Sequence, residues 1–265
     1  ILFSNVSALT LDGTTYDAGT TYDALEYFSS LAGLSDKGEY TLQFESGDVF
    51  INFVHTGSAT LTWNGTEGNS TWVQDDSTVT NWLDTKSHPD FFETEDNANF
   101  TGDAEVKEVT ISGGTTVTRN LTVTGEDAQY VFIVDNGSTI SSTKQAKVEA
   151  GASLTKDGEG NLTLELVAPL EVTDSTLAVD KGALYIQGDV SELELANAAL
   201  EIAENAMLSV DTINGDADST ITMDGDLHVD SGSIQSLEAG EKSMLHIGTG
   251  TLAIATDTVV YNLVN

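Results

Sequence analysis

The sequence predicts an all-β protein, a β-solenoid of short strands, and two observations lead to that prediction. Residues 154–212 contain pairs of apolar residues separated by one other residue, a spacing that puts both side chains on one face of a strand. Successive pairs start seven to nine residues apart, with Gly, Asn, Asp, Ser or Ala between them, which leaves room only for tight turns. The pairs start at Leu162, Leu170, Leu177, Leu184, Leu193, Leu200 and Leu208. Strands this short and this evenly spaced are typical of a coil whose turns stack on one another.

The spacing also predicts which strands lie next to each other. If three of these pairs make one turn, a turn spans roughly 22 residues and every third pair stacks on its predecessor. The predicted stacks are Leu162 beside Leu184 and Leu208, Leu170 beside Leu193, and Leu177 beside Leu200. Pairs of the same kind run from Val109 to Ile254, so the coil is predicted to cover residues 106–265.

Aromatic residues divide the chain into two unequal parts. Residues 1–100 contain all three Trp, eight of the nine Phe and four of the seven Tyr. We therefore expect residues 1–105 to form an aromatic-rich N-terminal part or cap, and residues 106–265 to form an aliphatic β-solenoid repeat region. The three tryptophans are Trp63, Trp72 and Trp82. Their rings either pack in a core or stack on sugars at the surface, and core packing is the favoured interpretation.

Local patterns predict the elements of the N-terminal part. Apolar residues share one face over residues 23–33, where Gly33 can end a helix, so one short helix is expected there. The predicted strands are residues 40–44, 49–54 and 60–63. Residues 84–100 show no clear period and are predicted to be a loop.

The composition excludes some kinds of partner. The 265 residues include 43 Asp and Glu but nine Lys and Arg, a formal net charge of −34 that repels the phosphates of nucleic acids. The chain has no cysteine, so no disulfide holds the fold, as in many exported bacterial proteins. No apolar run reaches the length of about 18 residues that a transmembrane helix needs, and none is predicted.

Two short glycine-containing motifs occur within residues 154–184. The first has Lys156, Gly158, Gly160, Leu162, Thr163 and Leu164, and the second has Gly182, Ala183 and Leu184. These positions resemble the autotransporter-associated β-strand repeat. The resemblance implies a right-handed parallel β-helix of the kind found in exported passenger domains, and therefore an extracellular or bacterial cell-surface location. It implies almost nothing about activity.

One further motif surrounds Asp230. Residues 227–233 are apolar residues followed by Asp-Ser-Gly-Ser, which resembles the aspartic-protease signature, and residues 132–138 contain a degenerate copy around Asp135. In that family two facing aspartates share one proton and activate a water molecule. The resemblance therefore implies Asp135 and Asp230 as the catalytic dyad of an acid-acting hydrolase. Both segments are also ordinary turn sequences after a strand, and Asn136 departs from the family pattern.

No cofactor and no dedicated metal site are predicted. His228 and His246 each lie at the centre of an apolar pair, so both are expected to face outward on strands of neighbouring turns. The chain has no cysteine and no His-x-x-x-His pattern, so a zinc site is not predicted. Acidic turns at 211–216 and 224–226 offer oxygen ligands, and weak binding of Ca²⁺ is the metal interaction we expect.

Two functional hypotheses from different classes follow. The first is an extracellular bacterial β-solenoid, secreted or held at the cell surface, that binds or adheres to host or matrix glycoproteins. The alternative is an acid-acting aspartic-type peptidase that degrades secreted glycoproteins such as mucin with Asp135 and Asp230. The two aspartates decide between them, because carboxylates more than about 7 Å apart in one chain cannot share a proton.

Overall fold

The structure is a computed structural model of the 265-residue chain. It describes residues 58–65, 70–76, 78–85, 87 and 89–255, together with strand backbone at 2–3, 8–11, 14–17, 21–23, 38–45, 48–55 and 263–264. These residues form 29 strands and no helix. In this part of the chain no helical segment is therefore long and apolar enough to cross a bilayer.

The strands are short throughout. Those of the N-terminal region are β1 (Leu2–Phe3), β2 (Ala8–Leu11), β3 (Thr14–Asp17), β4 (Thr21–Asp23), β5 (Gly38–Glu45) and β6 (Asp48–His55). The next are β7 (Thr60–Trp63), β8 (Thr71–Trp72), β9 (Trp82–Leu83), β10 (Pro89–Asp90), β11 (Asn97–Thr101), β12 (Glu108–Ile111), β13 (Gly114–Thr124), β14 (Gln129–Ile133), β15 (Ser138–Glu149) and β16 (Ser153–Asp157). The last are β17 (Asn161–Leu166), β18 (Leu170–Thr173), β19 (Thr176–Val179), β20 (Ala183–Gly188), β21 (Glu192–Ala196), β22 (Ala199–Ile202), β23 (Met207–Gly215), β24 (Thr220–Met223), β25 (Asp226–Ile234), β26 (Ser236–Ala239), β27 (Met244–Ile247), β28 (Leu252–Ile254) and β29 (Leu263–Val264).

Two sheets of parallel strands make the coil. A 15-stranded sheet has the central order β7-β11-β13-β15-β17-β20-β23-β25-β27-β29, and an 8-stranded sheet has the order β8-β12-β14-β16-β19-β22-β24-β26. The chain passes from one sheet to the other and back, so each turn lies on the turn before it. The predicted all-β solenoid is confirmed, with about seven turns. The right-handed sense that the resemblance implies stays a prediction.

The predicted stacking register is confirmed. Leu162 pairs with Leu184, which pairs with Leu208; Leu170 pairs with Leu193, and Leu177 with Leu200. All of these leucines are buried. The period of two along each strand puts them on the inner face, and the repeat length puts like residues on top of each other.

Aromatic side chains fill the first turns of this coil. The rings of Trp63, Trp72 and Trp82 are each no more than 2% exposed, so the predicted core packing is confirmed and sugar stacking by these rings is excluded. Phe100 packs among them, with its ring centroid 5.4 Å from that of Trp82 and 5.5 Å from that of Trp72.

The N-terminal region contains a separate antiparallel sheet of order β1-β6-β5-β4 and a β2-β3 hairpin. The predicted strands at 40–44, 49–54 and 60–63 are confirmed as parts of β5 and β6 and as β7. The predicted helix at 23–33 lies outside the described residues, apart from its first residue, Asp23, which ends β4.

The prediction of a loop over residues 84–100 is wrong in two places, at Pro89–Asp90, which form β10 and pair with β9, and in its last part. Residues from Asn97 onward form β11, which pairs with β7 and β13 in the 15-stranded sheet. The asparagines are typical of turns, but here the side chain of Asn97 faces outward and accepts a hydrogen bond from the amide of Asn120 at 2.5 Å. The parallel ladder therefore extends back to Thr60, and the division of the chain into residues 1–105 and 106–265 stays a prediction.

Candidate functional site

Two histidines stack on the outer face of the 15-stranded sheet. His228 in β25 is in register with His246 in β27, and their ring centroids are 4.0 Å apart with the planes inclined by 33°. The neighbours Leu227, Val229 and Leu245 are buried, so alternation along each strand turns both imidazoles outward. The expected outward stacking of these histidines on neighbouring turns is confirmed.

Asp226 joins the pair from the same face of β25. It precedes His228 by two residues, the period that returns a side chain to the same side of a strand. One carboxylate oxygen of Asp226 and one ring nitrogen from each histidine all lie within 4.8 Å of one another, and the three side chains are half-buried. We call Asp226, His228 and His246 the histidine cluster.

The surroundings of His228 favour its neutral imidazole. Partial burial lowers the pKa of His228, and the neighbouring His246 lowers this pKa further, whereas the carboxylate of Asp226 opposes the shift. A neutral imidazole keeps a nitrogen lone pair available for a proton or a metal ion.

A shallow groove of about 390 Å³ runs past the cluster. Besides the two histidines it is lined by Ser209, Asp211 and Asp230 on adjacent strands. The carboxylate of Asp230 lies over Gly248, in the space that a side chain at that position would occupy. The groove therefore collects two imidazoles and two carboxylates on one open surface.

The structure does not bring Asp135 and Asp230 together in one chain. Asp135 lies in the turn between β14 and β15, whereas Asp230 lies in β25. The ladder from β15 to β25 passes through β17, β20 and β23. At about 4.8 Å per step, these four steps separate the two aspartates by about 19 Å along the coil. They cannot share a proton within one chain, and a dyad would require two chains.

Asp135 instead lies in a turn beneath the motif that carries the autotransporter resemblance. Lys156, in register between Phe132 and Val179, points into the coil and is 2% exposed. Its ammonium donates hydrogen bonds to the carbonyl oxygens of Gly158 at 2.5 Å and Lys181 at 2.7 Å. Burial lowers the pKa of Lys156, whereas the nearby carboxylates, including that of Asp135, oppose this.

The motif glycines make room for this lysine. Gly158 and Gly182 both have positive φ, at +87° and +63°. A Cβ on Gly182 would come within 2.5 Å of the carbonyl oxygen of Gly160 and 2.7 Å of the Lys156 nitrogen. The Lys-x-Gly-x-Gly segment therefore forms a corner of the coil, and its role there is structural.

One aspartate of the acidic turns expected to bind Ca²⁺ has a structural role. Asp216 accepts hydrogen bonds from the hydroxyl of Ser219 at 2.6 Å and the backbone N–H of Asn197 at 3.0 Å, and these bonds lower its pKa. In the second acidic turn, Asp226 belongs to the histidine cluster. Weak Ca²⁺ binding stays a prediction.

Sequence reasoning found the histidines and the acidic turns that contain Asp211 and Asp226, but it did not place these two aspartates beside the histidines. The available signal was the Asp-x-His-x-Asp pattern of residues 226–230, which puts three polar side chains on one face of a strand. His246 lies 18 residues after His228, within the range of one turn, so its pairing was also readable.

Comparison with protein-family models, with curated proteins and with solved structures gives no significant match. The autotransporter and aspartic-protease resemblances therefore stay predictions made from the quoted motifs.

Proposed function

We propose that this chain is an extracellular bacterial β-solenoid that binds host or matrix glycoproteins through the outer surface of its 15-stranded sheet. The motif resemblance within residues 154–184 supports an exported location, and so does the absence of cysteine from the sequence. The regular stacking of short strands supports a binding role, because a coil of this kind presents one long, rigid surface.

One observation carries the proposal: glutamates stack directly on each other on that surface. Glu171 in β18 is in register with Glu194 in β21. Like charges on directly adjacent strands destabilise a sheet. Lys147 offsets part of this cost through an ion pair with Glu171, with 2.8 Å between nitrogen and oxygen. A surface that keeps such a pair is suited to a partner that brings positive charge.

A groove of about 240 Å³ lies at these glutamates. Thr173, Asn214 and Asp216 complete its polar lining. Hydroxyl, amide and carboxylate groups in one open groove can hydrogen-bond to peptide or sugar, and the net charge of −34 attracts basic segments from a distance. The proposed partner is therefore a glycoprotein with an exposed basic segment.

The test measures binding of the full chain to immobilised fibronectin, as a matrix glycoprotein, by surface plasmon resonance at low and high salt. We expect saturable binding that weakens as salt screens the charges. The double variant Glu171→Gln/Glu194→Gln should weaken binding by about 2- to 10-fold, since exposed charge pairs each contribute up to about 1 kcal/mol.

The matched control is Glu201→Gln/Glu238→Gln, which removes two exposed carboxylates from the 8-stranded sheet and the same net charge. It should leave binding near the wild-type value. Equal losses in both double variants would show that net charge alone attracts the ligand, and no binding by the wild-type chain would contradict the proposal.

The acid-protease alternative requires an assembly in which Asp135 of one chain faces Asp230 of another. Cleavage of mucin at acidic pH that pepstatin blocks, and that Asp230→Asn abolishes, would support this alternative and overturn a purely binding role.

A further inference from the structure

We propose that Asp226, His228 and His246 form a binding site for a divalent transition-metal ion of the zinc type, on the outer face of β25 and β27. The proposal is independent of glycoprotein binding. It rests on the convergence of two imidazole nitrogens and one carboxylate oxygen within 4.8 Å of one another.

The parallel ladder builds this convergence. His228 and His246 occupy paired positions on hydrogen-bonded strands, so the strand spacing itself holds their rings side by side. Asp226 is paired with Met244, and this pair lies two residues before the histidine pair on the same face of the sheet. The carboxylate of Asp226 is therefore beside the rings. Three donors therefore come from two rigid strands rather than from loops, and little conformational entropy is lost when they bind an ion.

The distances suit a small ion after a limited adjustment. Zn²⁺ binds nitrogen and oxygen ligands at about 2.0–2.2 Å, which puts tetrahedral ligand atoms about 3.4 Å apart. The present separations of up to 4.8 Å exceed this by an amount that side-chain rotation can close, because the three side chains are half-buried and the two histidines border an open groove. Backbone movement is not required.

The donor set selects the kind of metal. Two imidazoles and one carboxylate suit Zn²⁺, Cu²⁺ and Ni²⁺, whereas Ca²⁺ and Mg²⁺ prefer oxygen ligands alone. Three protein ligands on an open surface leave a fourth position for water or for a group from a partner. Asp211 and Asp230, in the same groove, add negative charge that raises the local concentration of cations.

The experiment titrates the untagged, metal-free full chain with Zn²⁺ by isothermal titration calorimetry in excess Ca²⁺. The Ca²⁺ occupies acid-only sites, and the absence of a histidine tag removes a competing zinc ligand. We expect one Zn²⁺ per chain and a rise in melting temperature, since an ion that binds only the folded state stabilises it. His228→Gln and His246→Gln should each weaken zinc binding at least about tenfold. Mutating a residue that only hydrogen-bonds to a metal ligand already lowers affinity by about this much, and losing the ligand itself should lower it more.

Two matched controls separate the cluster from general surface charge. His55→Gln changes a histidine of β6, and Asp224→Asn removes an exposed carboxylate from the turn before β25. Both should bind Zn²⁺ like the wild type, whereas Asp226→Asn should bind it more weakly. Circular dichroism checks the folding of each variant. For the wild-type chain, Co²⁺ provides a second measurement, because tetrahedral coordination by nitrogen gives visible absorption bands.

The proposal is overturned if wild-type chain binds no Zn²⁺ in excess Ca²⁺. It is also overturned if folded His228→Gln and His246→Gln variants bind Zn²⁺ as tightly as the wild type.

Discussion

The first turns of the described coil and its middle turns belong to the same parallel ladder but have different cores. In the first turns, the ring of Phe100 contacts three tryptophans, Tyr130 and Phe132, at centroid distances between 5.0 and 6.0 Å. In the middle turns, stacks such as Leu177 on Leu200 fill the core with aliphatic side chains that repeat from strand to strand.

The difference follows the regularity of the strands. β8, β9 and β10 have two residues each, so the first turns contain few ladder hydrogen bonds, and β9 and β10 pair antiparallel. Large rings bury much surface per residue and make favourable edge-to-face contacts where the backbone is irregular. Regular turns need only small aliphatic stacks, because each strand is supported on both sides. The irregular first turns are thus stabilised by a core of large aromatic rings. The regular middle turns are stabilised by aliphatic residues that stack from strand to strand.

The largest expected effect comes from removing the central ring. Phe100→Ala should lower the free energy of unfolding by about 3–5 kcal/mol, because the substitution leaves a buried cavity and removes the contacts of this ring with five others. Leu200→Ala, an equally buried position in the middle turns, should cost less, within about 2–4 kcal/mol. Urea unfolding followed by circular dichroism measures both.

Phe100→Leu serves as the control that keeps most of the apolar volume, and it should recover more than half of the loss. If Leu200→Ala lowers the free energy of unfolding as much as Phe100→Ala, the aromatic core contributes no more to stability than the aliphatic core does.

A smaller effect is expected at the corner that supports the aliphatic turns. Lys156→Met keeps the length of the side chain but leaves the carbonyl oxygens of Gly158 and Lys181 without their ammonium donor. Leaving buried acceptors without a donor costs about 1–3 kcal/mol, and we expect a loss of stability of that size. The same urea unfolding experiment measures it.

Lys242→Met is the matched control, since this lysine forms an exposed ion pair with Glu204. It should leave the unfolding midpoint unchanged within error. A Lys156→Met variant as stable as the wild type would show that the cost of burying the ammonium equals the benefit of its hydrogen bonds.

The smallest effect concerns alkaline pH at the border between the two regions. Burial raises the pKa of the Tyr130 hydroxyl, which donates a hydrogen bond to the carbonyl oxygen of Thr101 at 2.7 Å. The unfolded chain releases this proton near pH 10 and the folded chain retains it, so stability must fall as the pH rises above 10. The loss due to Tyr130 between pH 10 and 11 should be about 1 kcal/mol.

Tyr130→Phe should therefore show a flatter decline in unfolding free energy over this range than the wild type. Tyr185→Phe, on the outer side of β20, is the control and should follow the wild-type slope. Equal slopes in all three proteins would contradict the expected role of burial at Tyr130.

Particular residues show how far sequence reasoning reached. The stacking of Leu162, Leu184 and Leu208 was predictable because both the strand period and the turn length follow from the spacing of apolar residues. The sequence does not identify Lys156 as an inward-facing residue, since a lysine in a strand is typically exposed and the carbonyl groups at the corner explain its burial. Asn97 falls within the segment predicted to be a loop, because its hydrogen bond with an outward amide depends on Asn120 in the next turn.

The sequence by itself determined the all-β class, the stacking of the strands between Leu162 and Leu208, and the inner side of the apolar pairs. These properties depend on local alternation and on a nearly constant turn length, and both can be counted along the chain. Apart from the stacked histidines, only the tertiary structure decided which outward side chains meet. It separated Asp135 from Asp230 by four ladder steps and brought Asp226 to the two histidines. Such meetings depend on how each corner is built and on the geometry of individual side chains, which spacing alone does not specify.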